Sequence, residues 1–218
     1  MIEERIISIT KELPPRTKLV AVSKFHPASA IEEAYKGGQR IFGESRPQEL
    51  KAKAAVLPSD IEWHFIGHLQ TNKLKMVLPY ASLVQSVDSL HLLEAINDWG
   101  QRNDKVISCL LELHLGAEET KQGFTEEEIR ETLAHAADFT HISFRGIMGM
   151  ATHTEDEELI RKDFAHISAF KKELEDLHPE LADFRELSIG MSGDWKIALE
   201  YGATYVRIGT FIFGERSY

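Results

Sequence analysis

Short apolar runs alternate with helix-periodic segments along this sequence. Eight runs are rich in β-branched and aromatic residues and have the length of strands. They are apolar throughout, as is typical of parallel strands that are covered on both faces. In chain order they read KLVAVSKF, RIFGES, EWHFIGH, LVQSVDS, KVISCLLELHLG, SFRGIMGMAT, FRELSIGMS and TYVRIGTFIFG.

The segments between these runs carry helix start and stop signals. PASAIEEAYKGG begins with proline and ends on two glycines. Thr125 and Glu128 have the spacing of a capping box, and Thr154 and Glu157 repeat it before the longest helix. That helix has an apolar stripe that predicts packing against a sheet: Ile160, Phe164, Ile167, Phe170, Leu174 and Leu177.

Eight strands joined by seven helices, with one extra helix (MIEERIISITKEL) before the first strand, predict a closed (β/α)8 TIM barrel. The N-terminal helix would take the place of the missing eighth. A doubly wound open sheet is the alternative topology. The sequence has no linker, repeat or low-complexity tract, so we expect residues 1–218 to form one domain.

Composition limits the kinds of partner that the protein could bind. The formal net charge of −10 makes nucleic acid or an anionic membrane surface unsuitable as the main partner, whereas a small anionic ligand remains compatible. The single cysteine, Cys109, excludes an intrachain disulfide and a cysteine-rich zinc site, and we expect it to be a small apolar residue of a strand. There is no signal peptide and no run of ~20 apolar residues. We therefore expect a cytoplasmic protein.

Candidate chemistry lies where strands of such a barrel end. Lys24 follows the apolar core of the first strand, on the face of a barrel where functional groups project. After the seventh strand, Gly190, Ser192 and Gly193 lead into a helix, whose free N–H groups favour an anion. Ser192 can also act as the N-cap of that helix.

The eighth strand adds a cation and a second polar turn. Arg207 lies within an apolar run, either inside the barrel with a partner or facing outward between helices. Gly209 allows close backbone approach, and Thr210 offers a hydroxyl beside it. Together with Lys24, these residues suggest a phosphorylated aldehyde held as a Schiff base.

The sequence resembles the pyridoxal phosphate homeostasis proteins, which have the fold-type III barrel of the alanine racemase N-terminal domain. The resemblance covers residues 19–216. It is carried by the ordered set AVSKFHP, FGESRPQEL, WHFIGHLQTNK, KQGF, FRGIMGM, LSIGMSGDW and VRIGTFIFGER.

The resemblance implies that pyridoxal 5′-phosphate is the cofactor and that Lys24 forms the internal aldimine. It implies that Ser192, Gly209 and Thr210 hold the phosphate, with Arg207 beside the pyridine nitrogen. The sequence departs from the family where Ser45 replaces an asparagine near the ring and Pro47 replaces an aliphatic residue. Ser45 is a candidate that could act through a water.

Other polar clusters are expected to be structural. His64 and His68 lie four apart in a predicted strand, where that spacing does not give the paired ligands of a helical zinc site. The acidic groups at residues 126–128 and 155–158 begin predicted helices, where negative charge offsets the helix dipole. We expect no metal site.

Three functions fit the predicted site. The resemblance implies a carrier that buffers pyridoxal phosphate or delivers it to apo-enzymes, without catalytic turnover. A racemase or decarboxylase on the same barrel is the alternative, although racemases carry a further β-rich domain, and this chain ends at Tyr218. A lysine-dependent aldolase fits less well because the predicted sixth strand has no lysine. No apolar stripe is left over, so we expect a monomer.

Overall fold

The eight strands close into a barrel in the computed structural model, which describes residues 1–115 and 122–214. Every neighbouring pair is parallel and follows chain order, and β1 pairs with β8 from Lys18↔Tyr205 to Ala21↔Ile208. The (β/α)8 prediction is confirmed, and the open-sheet alternative is wrong. The strands are β1 Lys18–Val22, β2 Ile41–Glu44, β3 Glu62–Phe65, β4 Ala81–Val87, β5 Ile107–Glu112, β6 Ile142–Met148, β7 Glu186–Met191 and β8 Tyr205–Ile208.

Helices surround the strands and connect them. The first, α1, packs against α2, α9 and β1, and Arg5 Nη1 donates to Ile212 O at 2.9 Å. The N-terminal helix therefore covers the side where β8 meets β1, as predicted. The helices are α1 Ile2–Glu12, α2 Ala28–Lys36, α3 Pro47–Ala54, α4 Leu74–Val77, α5 Leu90–Asn103, α6 Glu126–Ala134, α7 Glu157–Leu177, α8 Trp195–Glu200 and α9 Thr210–Phe213.

Both faces of the strands are buried, in two separate apolar layers. The larger layer lies between the strands and the helices and includes Cys109, whose thiol pKa is raised by burial. The smaller layer fills the barrel interior with Val20, Ile41, Leu83, Leu110, Met148 and Tyr205. Because β1 alternates sides, Val20 points inward and Ala21 outward. The packed interior leaves the strand ends as the place for a site.

The helix ends confirm one capping prediction and correct another. Thr125 and Glu128 form the predicted capping box at the start of α6. The N-cap of α7 is Asp156, which accepts from the N–H groups of Glu158 and Leu159, so the Thr154 capping box is wrong. Asp156 lies directly before the helix, whereas Thr154 Oγ1 accepts from the Asp156 N–H in the preceding turn. The apolar stripe of α7 is buried up to Leu174, but Leu177 at its end is exposed.

The run TYVRIGTFIFG is a strand only in its first part. Strand β8 ends at Ile208, and Gly209 O accepts from the N–H groups of Ile212 and Phe213 to start α9. Gly209 lies against β1 at this turn, where an added Cβ would come within 3.2 Å of Val22 O. Lys121 of KQGF and residues 215–216 of the last motif lie outside the described residues.

Strand β6 lies close against β7 at Gly146, which pairs with Glu186. Its φ is +145°, and an added Cβ would lie 1.9 Å from Glu186 O. Only glycine fits this position. Within residues 1–115 and 122–214, no helix is both long and apolar enough to cross a membrane.

Candidate functional site

A cavity of about 800 Å³ lies at the C-terminal end of the barrel. This volume is within the range of small-molecule sites. Residues from the ends of β1, β6, β7 and β8 line it. Five of the six predicted site residues are among them: Lys24, Ser192, Arg207, Gly209 and Thr210.

Lys24 reaches the cavity from a tight turn after β1. Val22 ends the strand, and both Val22 and Lys24 line the cavity. The turn is closed by a hydrogen bond from His26 N to Ser23 O at 3.1 Å, and Phe25 has a φ of +68°. The His26 ring stacks on Phe213 of α9 with ring centroids 4.9 Å apart. This contact joins the turn that carries Lys24 to α9, which follows β8.

The turn after β7 is shaped by glycine and aspartate. Gly190 has a φ of +90°, and an added Cβ would lie 2.6 Å from the Ala198 Cβ, so glycine lets α8 pack closely on the strand end. Asp194 is the N-cap residue of α8, and its Oδ1 accepts from Met191 N at 2.5 Å. The expectation that Ser192 caps this helix is wrong, because Asp194 lies next to the first helical residue. Ser192 instead lines the cavity.

Ser192 connects the two predicted halves of an anion cradle. Its Oγ accepts from Gly209 N at 3.3 Å, which joins the turn after β7 to the start of α9. Thr210 is the first residue of α9, and the first N–H groups of a helix have no acceptor within it. A hydroxyl pair and helix-start N–H groups are suitable donors for a phosphate.

Arg207 lies inside the barrel and is 5% exposed, so the outward arrangement is wrong. Its Nη1 donates to Ser188 O and Ser188 Oγ, both at 2.7 Å, and its Nη2 donates to Gly149 O at 2.9 Å. Burial lowers the guanidinium pKa to about 10, opposed by the charges of Glu112 and Asp194. Arg207 is therefore a fixed cation at neutral pH on the wall of the cavity.

A hydrogen-bonded chain holds Arg207 from behind. Ser188 Oγ donates to Gln85 Oε1 at 2.6 Å, and Gln85 Nε2 lies 2.7 Å from His64 Nδ1. Burial lowers the pKa of His64 to about 3, so the ring is neutral and can accept from the amide. Residues from four strands thus form the network that fixes the orientation of the Arg207 side chain.

The two histidines do not form a metal site. His64 belongs to the chain behind Arg207, whereas His68 Nδ1 lies 2.9 Å from Asp88 Oδ2. Among the residues that the structure describes, no group of three His, Cys, Asp or Glu residues could hold a metal ion. His64 instead supports Gln85 in the chain behind Arg207.

Ser45 is not brought together with the other five candidates. It packs against Gly67, where an added Cβ would lie 2.4 Å from Ser45 O, and it is outside the described lining of the cavity. Its proximity to a cofactor ring stays a prediction.

Two buried carboxylates near the site were not predicted from the sequence. Glu44 ends β2 and pairs with Lys53 behind the Lys24 turn. Glu112 ends β5, and burial, together with the charge of Asp88, raises its pKa to about 7 against the influence of Arg207 and His68. Each is a lone acid in an apolar run, IFGE and CLLEL, and that contrast was the available signal.

Comparison with known proteins agrees with the resemblance seen in the sequence motifs. The family described as "Alanine racemase, N-terminal domain" matches residues 1–217. The pyridoxal phosphate homeostasis protein of Aquifex aeolicus is 38% identical over 202 residues, which cover 92% of this chain and 88% of that protein.

Among solved structures, PipY of Synechococcus elongatus with PLP bound superposes with a TM-score of 0.90 at 37% identity, over 98% of this chain and 100% of that one. Alanine racemase of Bartonella henselae has a TM-score of 0.71 at 16% identity, over 98% of this chain and 59% of that one. This second likeness concerns the fold alone.

Proposed function

The chain belongs to the family of pyridoxal phosphate homeostasis proteins, and we propose that it binds pyridoxal 5′-phosphate and buffers or delivers it. The observation that carries this proposal is the meeting of one amine, one anion cradle and one buried guanidinium around a single cavity. These groups match the aldehyde, the phosphate and the ring nitrogen of that cofactor. The cavity volume of about 800 Å³ also accommodates it.

Each residue has a distinct part in binding. Lys24 supplies the amine that forms a Schiff base with the aldehyde. The hydroxyls of Ser192 and Thr210 would donate hydrogen bonds to the phosphate, and Gly209 would let the phosphate approach the backbone closely. The cofactor, when bound, would supply an electron-withdrawing ring for reactions of amines.

Arg207 would limit the chemistry that a bound cofactor could support. It remains charged at neutral pH and is held by three hydrogen bonds, so it would keep its place beside the ring nitrogen of a bound cofactor. A neighbouring cation disfavours protonation of that nitrogen, which weakens the ring as an electron sink. Racemisation also requires an acid and a base on opposite faces of the ring. We propose that holding and releasing the cofactor, rather than turnover, is the activity.

The recipient in this proposal is an apo-enzyme that depends on pyridoxal phosphate. We further propose that residues 1–218 act as one domain and as a monomer in the cytoplasm. The closed barrel supports the single domain, because every described strand has both neighbours within the same chain.

Borohydride reduction of the loaded protein, followed by peptide mapping, tests the assignment. We expect the pyridoxyl mass on Lys24, and none in the Lys24→Ala variant, whose far-ultraviolet circular dichroism should match that of the parent. Lys73 is the control within the described residues, and Lys121 is a second control beyond them. A label on either of these lysines would contradict the proposal.

A further inference from the structure

A buried charged cluster lies directly behind the Lys24 turn. The Glu44–Lys53 cluster consists of Ser23, Glu44, Glu49 and Lys53, contributed by β2, α3 and the residue before Lys24. Lys53 Nζ donates to Glu44 Oε1 at 2.7 Å, to Ser23 O at 2.9 Å and to Glu49 Oε2 at 3.0 Å. Ser23 Oγ also donates to Glu44 Oε1, at 2.6 Å. One ammonium group therefore joins two carboxylates to the end of β1.

The cluster holds both chain neighbours of Lys24. Ser23 is fixed by Glu44 and Lys53, and Phe25 N donates to Glu49 Oε2 at 2.9 Å. The Phe25 ring lies under the Arg46 guanidinium, 4.2 Å from its carbon to the ring centroid. Phe25 keeps a φ of +68°, which is strained for a side chain of this size. The backbone on each side of Lys24 is thus fixed by the same charged group.

Stability alone does not explain this arrangement. Glu44 is fully buried and Lys53 is 8% exposed, and a buried ion pair is often no more stabilising than apolar residues of the same size. Glu44 Oε2 is buried without a hydrogen-bond partner within the described structure. Burial correspondingly raises the pKa of Glu44, while Lys53 opposes this. Strain and an unpaired buried oxygen together are typical of a functional site rather than of a stabilising one.

We propose that the Glu44–Lys53 cluster positions Lys24 for reaction with the cofactor aldehyde. This inference rests on the proposed function. In the proposed reaction, Lys24 Nζ would form a double bond to the aldehyde carbon in place of the carbon–oxygen double bond, and the aldehyde oxygen would leave as water with the two protons of the neutral amine. The rate depends on how often the amine points at that carbon, which the fixed turn secures. Glu44, Glu49 and Lys53 are positioning residues that do not touch the cofactor.

Three variants and one control separate positioning from folding. Glu49→Ala removes the acceptor of the Phe25 N–H, whereas Glu49→Gln keeps an acceptor there. The double variant Glu44→Gln, Lys53→Met removes the buried pair together, so that no buried charge is left alone. Lys51→Met, at an exposed lysine of the same helix, is the control.

Two rates are measured on each variant after thermal unfolding has shown that it is folded. The first is the rate of Schiff-base formation with pyridoxal phosphate, with binding of pyridoxine 5′-phosphate, which lacks the aldehyde, as its partner measurement. The second is the rate at which formaldehyde and cyanoborohydride methylate Lys24 in the protein without cofactor.

We expect Glu49→Ala and the double variant to slow Schiff-base formation by roughly tenfold or more. Binding of pyridoxine phosphate should stay unchanged. Methylation of Lys24 should become faster, because the released turn exposes an amine that is partly buried in the parent. Glu49→Gln and Lys51→Met should behave like the parent.

Unchanged methylation of Lys24 in folded variants would overturn the inference, and so would an equal loss of pyridoxine phosphate binding. If the parent forms no adduct at Lys24, the proposed function fails. Faster methylation in Glu49→Ala would then still support the positioning role by itself.

Discussion

Replacing Glu112 with glutamine should change how the stability of the protein depends on pH. The Glu112 side chain is 7% exposed, and burial raises its pKa from 4.5 to about 7. The charge of Asp88 acts in the same direction, whereas Arg207 and His68 oppose it. The folded protein therefore binds a proton at Glu112 over a pH range in which the unfolded chain has released it.

The sign and size of the effect follow from this difference. Because the pKa of Glu112 is raised in the folded state, the contribution of Glu112 to stability is fully present below about pH 4.5. This contribution is lost as the pH rises through about 7. The contribution of Glu112 to the free energy of unfolding should fall by about 2 kcal/mol between about pH 5.5 and pH 8.5. Glutamine has nearly the same shape and cannot ionise.

Urea unfolding of the parent and of Glu112→Gln across this range measures the effect. We expect the stability of the variant, relative to the parent, to rise by about 2 kcal/mol from the acidic to the alkaline end. Glu94→Gln, at an exposed carboxylate of α5, is the matched control for removing one surface charge. A pH-independent difference between parent and Glu112→Gln would refute the reasoning.

Three further outcomes are expected. Ser192→Ala and Thr210→Ala should each weaken pyridoxal phosphate binding by about 1–3 kcal/mol in a fluorescence titration, and pyridoxal without phosphate should bind far more weakly; equal affinities would show that the cradle lies elsewhere. The loaded protein should reactivate an apo-transaminase without racemising L-alanine, as polarimetry would show; steady Lys24-dependent racemisation would favour the racemase. Gly146→Ala should lower the free energy of unfolding by about 3 kcal/mol or more, because its Cβ would overlap Glu186 O, and an unchanged melting temperature would contradict this.

The barrel could be predicted because its determinants are local. Each strand is a short apolar run, and each helix has its own periodicity and end signals, as the Thr125–Glu128 box shows. Eight repeats of that alternation leave few topologies. The failures are equally local: Thr154 and Asp156 are both good caps, and only the direction of the chain in three dimensions selects between them.

The site was predictable only where residues lie at strand ends. Lys24 and Ser192 fall at such ends, so the barrel brings them to one cavity. The support behind them could not be read from the sequence, because Lys53 belongs to a helix whose pattern gives no reason to bury a lysine. Its partner Glu44 shares its strand with apolar residues, and only the packed structure shows which cation it meets.

The closure of β1 on β8 has a consequence for how the protein is made. Lys18 pairs with Tyr205, so the barrel cannot close until β8 has left the ribosome. Lys24 follows β1, whereas Gly209 and Thr210 follow β8, and the cavity therefore spans this last junction. A nascent chain that ends before β8 has Lys24 and the Ser192 turn but lacks Gly209 and Thr210. Competence to capture the cofactor should thus arise in one step, when β8 joins β1, and serve as a sign that the barrel has closed.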